Sequence, residues 1–82
     1  MIEVLYFAWV RERIGIPREK IETGAATVAD LVEELRGRED RYAAAFEDLR
    51  ALRVAIDQEL TDFSASLEGA REVAFFPPMT GG

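Results

Sequence analysis

Residues Arg71–Gly82 read REVAFFPPMTGG, and this stretch decides the fold. Glu72 to Phe76 is a β-rich run in which Val73 and Phe75 point one way and Ala74 and Phe76 the other. Both faces are apolar, which suits a central strand covered on each side. Pro77 and Pro78 cannot donate to a ladder, so the strand stops there. Met79, Thr80, Gly81 and Gly82 then leave the body, with the proline pair stiffening the root in an extended form.

The other end of the sequence has the same two-sided character. Ile2–Val10, IEVLYFAWV, reads as a first strand. Ile2, Val4, Tyr6, Ala8 and Val10 lie on one face, and Glu3, Leu5, Phe7 and Trp9 on the other. Gly15 and Pro17 signal a turn, and Ile21–Thr23 reads as a short second strand, giving a hairpin. Thr27 then caps a helix, with Asp30 three residues on in a variant capping box. Val28, Leu31, Val32 and Leu35 form its apolar stripe, and Gly37 is its stop. A second, Ala-rich helical stretch follows, with Phe46 and Leu49 on one side. Leu52–Ile56 alternates as a strand, Asp57-Gln58 turns, Glu59–Thr61 returns, and Asp62–Arg71 is loop or short helical turn.

The order β-β-α-(α)-β-β-β predicts an α+β fold: a mixed sheet with one main helix packed across one face. Two two-sided strands belong side by side at the centre, and a right-handed crossover through the helix makes them parallel. This is the β-grasp, or ubiquitin-like, topology. The expected division is a domain over residues 1–78 and a flexible tail over 79–82.

Composition narrows the chemistry. An 82-residue chain is one domain whose small core supplies about 3–5 kcal/mol of stability. No apolar run is long enough to span a membrane, and no signal-peptide pattern opens the sequence, so a cytoplasmic location is expected. A net charge of −6 with dispersed basic residues argues against nucleic acid. Cys and His are both absent, which removes thiol nucleophiles, imidazole bases and the usual zinc ligands; no metal site is expected.

The tail is what remains. Gly81 and Gly82 carry no side chain and can thread a channel too narrow for other residues. A terminal carboxylate, ionised at neutral pH, can be carried into another enzyme's active site. There it can attack the α-phosphate of ATP, and the acyl-adenylate can be opened by a sulfur or amine nucleophile. A terminal Gly-Gly alone is weakly specific. It gains meaning as the end of a β-grasp domain, directly after FFPPMT.

Other candidates are weaker. The run Glu33–Asp40 reads as a solvated helix end, with Glu34 and Arg38 at i,i+4. Lys20, the only lysine, reads as a solvated edge or turn residue.

The segments IEVLYFAWVRERIG, VADLVEELR, VAIDQEL and above all REVAFFPPMTGG resemble the small, sulfur-carrier subunits of molybdopterin synthase over nearly the whole chain. That family commonly has Asn where Asp57 stands, a change a turn accepts. The resemblance implies a non-catalytic carrier subunit of an enzyme complex. A ubiquitin-activator-like adenylating enzyme would use ATP to form an acyl-adenylate on Gly82, and sulfur transfer would convert it to a thiocarboxylate. The tail (Met79, Thr80, Gly81) would thread into the large catalytic subunit of a heterotetramer. Two carriers would supply the dithiolene sulfurs of molybdopterin, made from cyclic pyranopterin monophosphate. The chain itself would bind no cofactor. A thiamine-pathway sulfur carrier and a ubiquitin-like protein modifier are the alternatives.

Ordering Met79–Gly82 in a partner costs about 4–8 kcal/mol at ~1–2 kcal/mol per residue. Glycines make few contacts to offset this, so the body must contribute. Leu5, Phe7, Trp9, Ala74 and Phe76, extended by Leu60, are the expected partner-binding patch on the sheet face away from the helix.

Overall fold

The computed structural model describes residues 1–78. In chain order the elements are β1 (Ile2–Tyr6), α1 (Ala8–Ile14), β2 (Arg18–Ile21), α2 (Val28–Arg36), α3 (Asp40–Ala45), a single 3-10 turn (Leu49–Ala51), β3 (Arg53–Ile56), β4 (Glu59–Thr61) and β5 (Glu72–Phe76). The five strands form one mixed sheet in the order β2-β1-β5-β3-β4. The two-sided strands β1 and β5 are central neighbours and run parallel, with Val4 beside Val73 and Leu5 beside Ala74. All other pairings are antiparallel. This is the β-grasp arrangement expected from the sequence.

The main helix forms for the reasons its sequence gives. Thr27 accepts the Asp30 N–H through its hydroxyl at 3.2 Å, satisfying one orphan donor of the first turn. Val28, Leu31, Val32 and Leu35 are all buried. They meet Val4, Tyr6, Val54, Val73 and Phe75 from the sheet. Phe75 sits among rings: Phe46 meets it edge-on at 5.0 Å between centroids, with Tyr6 at 6.4 Å and Phe63 at 6.5 Å stacked.

The first strand is shorter than expected. It ends at Tyr6, and Ala8–Ile14 is a helix. Ala8 takes a left-handed φ of 52°, uncommon without glycine, and turns the chain off the sheet in one residue. Val10 and Ile14, at i,i+4, are the buried stripe of α1. Gly15, at φ 96°, closes the helix by donating its N–H to the Arg11 carbonyl at 2.7 Å. The second strand is Arg18–Ile21 rather than Ile21–Thr23. Its charged residues are those of an edge strand, where they discourage further pairing.

Between Asp57 and Gln58 the chain turns with both φ values positive, 50° and 71°, the geometry that matches the twist of a two-residue hairpin. Asp57 also anchors the start of β5. Its carboxylate accepts the Arg71 and Glu72 N–H groups at 3.0 and 2.9 Å. Asn offers the same acceptor, so Asp57→Asn is expected to stay within about 0.5 kcal/mol of the parent. Asp57→Ala removes the acceptor, and urea unfolding should show a loss of about 1 kcal/mol or more.

A second polar device was not legible in the sequence. The Glu19 carboxylate, on β2, accepts the Tyr6 hydroxyl at 2.8 Å and the Tyr42 hydroxyl at 2.7 Å. Arg38 lies 3.6 Å from its other oxygen. The cluster ties β1, β2 and α3 together. It also corrects the expected Glu34–Arg38 pair, because α2 ends before Arg38 and Glu34 instead accepts from Thr23 at 2.8 Å. Burial, and then the neighbouring Glu19, push both tyrosines above their ordinary value of 10.0. A folded-state value raised above the unfolded one gives stability that is complete below about pH 10 and is lost as pH rises through the folded values. Stability measured by denaturant unfolding should therefore fall as pH climbs above 10. Phe substitution at Tyr6 and Tyr42 should flatten that fall, and an unchanged slope would contradict the assignment.

Candidate functional site

Alternation along the strands sends Val4, Val54, Val73 and Phe75 to the helix side and leaves the opposite face to Leu5, Ala55, Ala74 and Phe76. The register aligns these across the sheet. One row runs Arg18, Leu5, Ala74, Ala55, Leu60, from one edge to the other. Leu5, Ala55 and Ala74 are half-buried, and Leu60 is 71% exposed. Next to this row, towards the end of β5, Phe76 pairs with Arg53. Phe7 lies just past the end of β1 and is 45% exposed; its N–H donates to the Phe75 carbonyl at 3.1 Å. Among the described residues, Phe7, Leu60 and Met1 are the large apolar side chains most open to solvent.

The face is polarised. At its opposite end Lys20 pairs with Glu3 and Glu3 with Glu72, and the Asp57 N–H donates to the Glu72 carbonyl at 2.9 Å. The apolar end is therefore the end from which β5 runs into Pro77 and Pro78, both half-buried. The sheet delivers the root of the tail beside the phenylalanines and keeps the carboxylates behind.

Five of the six residues expected in the patch are brought together: Leu5, Ala74 and Phe76 on the face, Phe7 at its rim and Leu60 on its edge strand. Trp9 is not. The strand that would have placed it there ends at Tyr6, and Trp9 stands on α1, partly packed against the core. The Arg13 guanidinium covers its ring at 4.7 Å, an i,i+4 cation–π pair. Ala55, Arg18 and Arg53 belong to the face but were not anticipated. Alternation in Arg53–Ile56 was the available signal, and small Ala55 hid it. Gly82, Gly81, Thr80 and Met79 lie outside the described residues.

No group of three or more Asp, Glu, His or Cys able to hold a metal ion occurs among the described residues. No helix among them is long and apolar enough to cross a membrane.

Known proteins agree with this architecture. The sequence model of the ThiS family matches residues 4–82. The chain is 43% identical over 82 residues to the molybdopterin synthase sulfur carrier subunit of Escherichia coli (strain K12), covering 100% of both. It is 40% identical to the protein of the same name from Haemophilus influenzae, again over 100% of both. Its fold superimposes on the crystal structure of SAMP1 from Haloferax volcanii with a TM-score of 0.77, at 25% identity, covering 99% of this chain and 98% of the other.

Proposed function

The chain belongs to the ThiS family, and from that premise we propose that it is a sulfur carrier of molybdenum-cofactor biosynthesis, the small subunit of a molybdopterin synthase. The observation that carries this reading is the end-to-end match to proteins named as that subunit. The polarised face supports it, because a carrier needs a docking surface next to its delivery arm.

In this reading the work is divided between body and tail. A carboxylate oxygen of Gly82 attacks the α-phosphorus of ATP on an adenylating enzyme, and pyrophosphate leaves. A hydrosulfide equivalent from a sulfur donor then attacks the carbonyl carbon, and AMP leaves with its oxygen. The thiocarboxylate so formed is carried into the large subunit, where two carriers in turn supply the two dithiolene sulfurs to cyclic pyranopterin monophosphate. The chain holds no cofactor in this scheme; ATP is spent by its activating enzyme. Met79, Thr80 and Gly81 thread the channel. Leu5, Phe7, Leu60, Ala74 and Phe76 contact the large subunit.

Fully burying a large side chain on that face contributes roughly 1.5–3 kcal/mol, so two or three offset the cost of ordering the tail. Phe76→Ala or Phe7→Ala should weaken binding to the large subunit by about tenfold or more, at ~1.4 kcal/mol per decade. Calorimetry on the purified pair reads this directly. An unchanged dissociation constant for both variants moves the interface elsewhere.

The reaction class is tested by incubating the carrier with ATP, its adenylating enzyme, a sulfur source and a lysine-rich lysate. A mass gain of one sulfur-for-oxygen exchange supports the sulfur carrier. Isopeptide ladders without that gain identify a protein modifier instead.

A further inference from the structure

Register fixes where charge lies on the open face of the sheet. The middle row runs Arg18, Leu5, Ala74, Ala55, Leu60, and the row towards the end of β5 sets Phe76 beside Arg53. The carboxylates of this face belong to the far row, where Glu3 pairs with Glu72 and Asp57 follows the end of β3. Glu59 is on the other side of the sheet, because its partner Ile56 pairs with buried Val73.

A guanidinium therefore stands at the apolar end with no carboxylate of its own face nearby. Four residues of strand separate Arg53 from Asp57, about 13 Å, and one further step across to β5 puts Glu72 about 14 Å away. Both distances exceed the screening length of about 8 Å at physiological ionic strength. Arg18 differs, since it lies 3.9 Å from Glu3. Among the described residues, Arg53 is not one of the arginines within 4.0 Å of a carboxylate. Acid is not scarce in a chain with 16 Asp and Glu against 10 Lys and Arg.

The side chain is also held. Its Nη1 donates to the Leu52 carbonyl at 2.9 Å and to the Arg50 carbonyl at 3.3 Å. That tether restrains a long, rotamer-rich side chain and leaves Nε and Nη2, the edge that grips a carboxylate through two parallel bonds. Arg53 is exposed beside Phe76. Apolar burial is non-directional, so Phe76, Phe7 and Leu60 alone do not set how the face lies on a partner. One restrained guanidinium at one end of the face does.

Resting on the sulfur-carrier reading, we propose that Arg53 is a specificity-determining residue of docking: the large subunit presents an Asp or Glu carboxylate beside the surface that receives Phe76. The pair draws in the arginine-bearing end of the face. The acidic row at the other end, and the net charge of −6, are repelled by the same carboxylate. Attraction at one end and repulsion at the other select a single orientation, the one that brings the end of β5 to the partner.

The test is stopped-flow association of the full chain with the purified large subunit, at about 50 mM and about 500 mM salt. Arg53→Glu should slow association at least about tenfold at the lower salt and less than about threefold at the higher, as expected for a rim charge. Arg53→Gln should give a smaller loss with the same salt trend, and it replaces the first variant if urea unfolding shows that variant to be poorly folded. Arg36→Glu makes the same change of net charge on α2, across the sheet, and should associate within about twofold of the parent. Equal slowing by Arg53→Glu and Arg36→Glu, slowing that salt does not relieve, or faster association by Arg53→Glu would each overturn the proposal. If Phe76→Ala weakens binding and the folded Arg53 variants behave as the parent, the docking face stands and the role of Arg53 is overturned alone. A parent that does not bind the large subunit overturns the sulfur-carrier reading and this proposal with it.

Discussion

Deletion of Gly82 is expected to abolish activation and molybdopterin formation while the domain stays folded. None of the interactions described for residues 1–78 needs Gly82: the core, the Glu19 cluster and the Asp57 anchor all lie within the body. The loss should thus be total in a turnover assay and absent from an unfolding curve. Gly81→Ile separates chemistry from passage. It leaves the terminal carboxylate in place and adds a β-branched side chain, which is stiff at χ1 and wider than the channel inferred for a Gly-Gly tip. It should fold normally and fail to turn over. Normal turnover by the Gly81 variant would argue against a narrow channel. Continued molybdopterin formation by the truncated chain would end the carrier mechanism.

The second large effect is structural. Phe75→Ala should unfold the domain. Phe75 is fully buried between Phe46, Tyr6 and Phe63, so truncation leaves a void bounded by rigid rings. Such Phe→Ala changes cost about 3–5 kcal/mol. A core of this size supplies about the same total, so little or nothing is left. Phe76, the next residue, faces the other way, and its truncation should cost binding and spare the fold. Far-UV circular dichroism with urea titration distinguishes the two. A cooperatively unfolding Phe75→Ala variant with a midpoint near the parent's would contradict this description of the core.

The contrast between Phe75 and Phe76 shows what was legible in the sequence. Period-two alternation placed β5 at Glu72–Phe76 with the correct faces; β1 and β5 as neighbours followed from both being two-sided, and their parallel direction from the right-handed crossover through the helix. Local capping chemistry likewise placed the start of α2 at Thr27. Where two periods fit the same letters, the reading failed. Tyr6–Val10 is an unbroken apolar run that serves as strand or as helix, and the left-handed Ala8 that settles the matter has no sequence signature. Trp9 was misplaced for that reason alone. In β2, Arg-Glu-Lys carries no apolar alternation, because an edge strand is stabilised by its partner and not by its own pattern. The Glu19 cluster joins residues far apart in the chain, and only the assembled tertiary structure shows it.

The same logic separates the two parts of the site. The apolar face follows from alternation and register, so most of its residues were legible before the fold was known. Its polarity, apolar where β5 leaves the sheet and charged where it enters, emerges only from the register that sets Leu5 beside Ala74 and Glu3 beside Glu72.

The central claim is that Gly82 carries sulfur. The most direct measurement is the intact mass of the protein purified from its own host under conditions that preserve acyl–sulfur bonds. The account predicts a population heavier by one sulfur-for-oxygen exchange, with fragment masses confining the change to the last residue and alkylation trapping it there. A carboxylate-only mass from cells actively making the cofactor, or sulfur located anywhere other than Gly82, would contradict it.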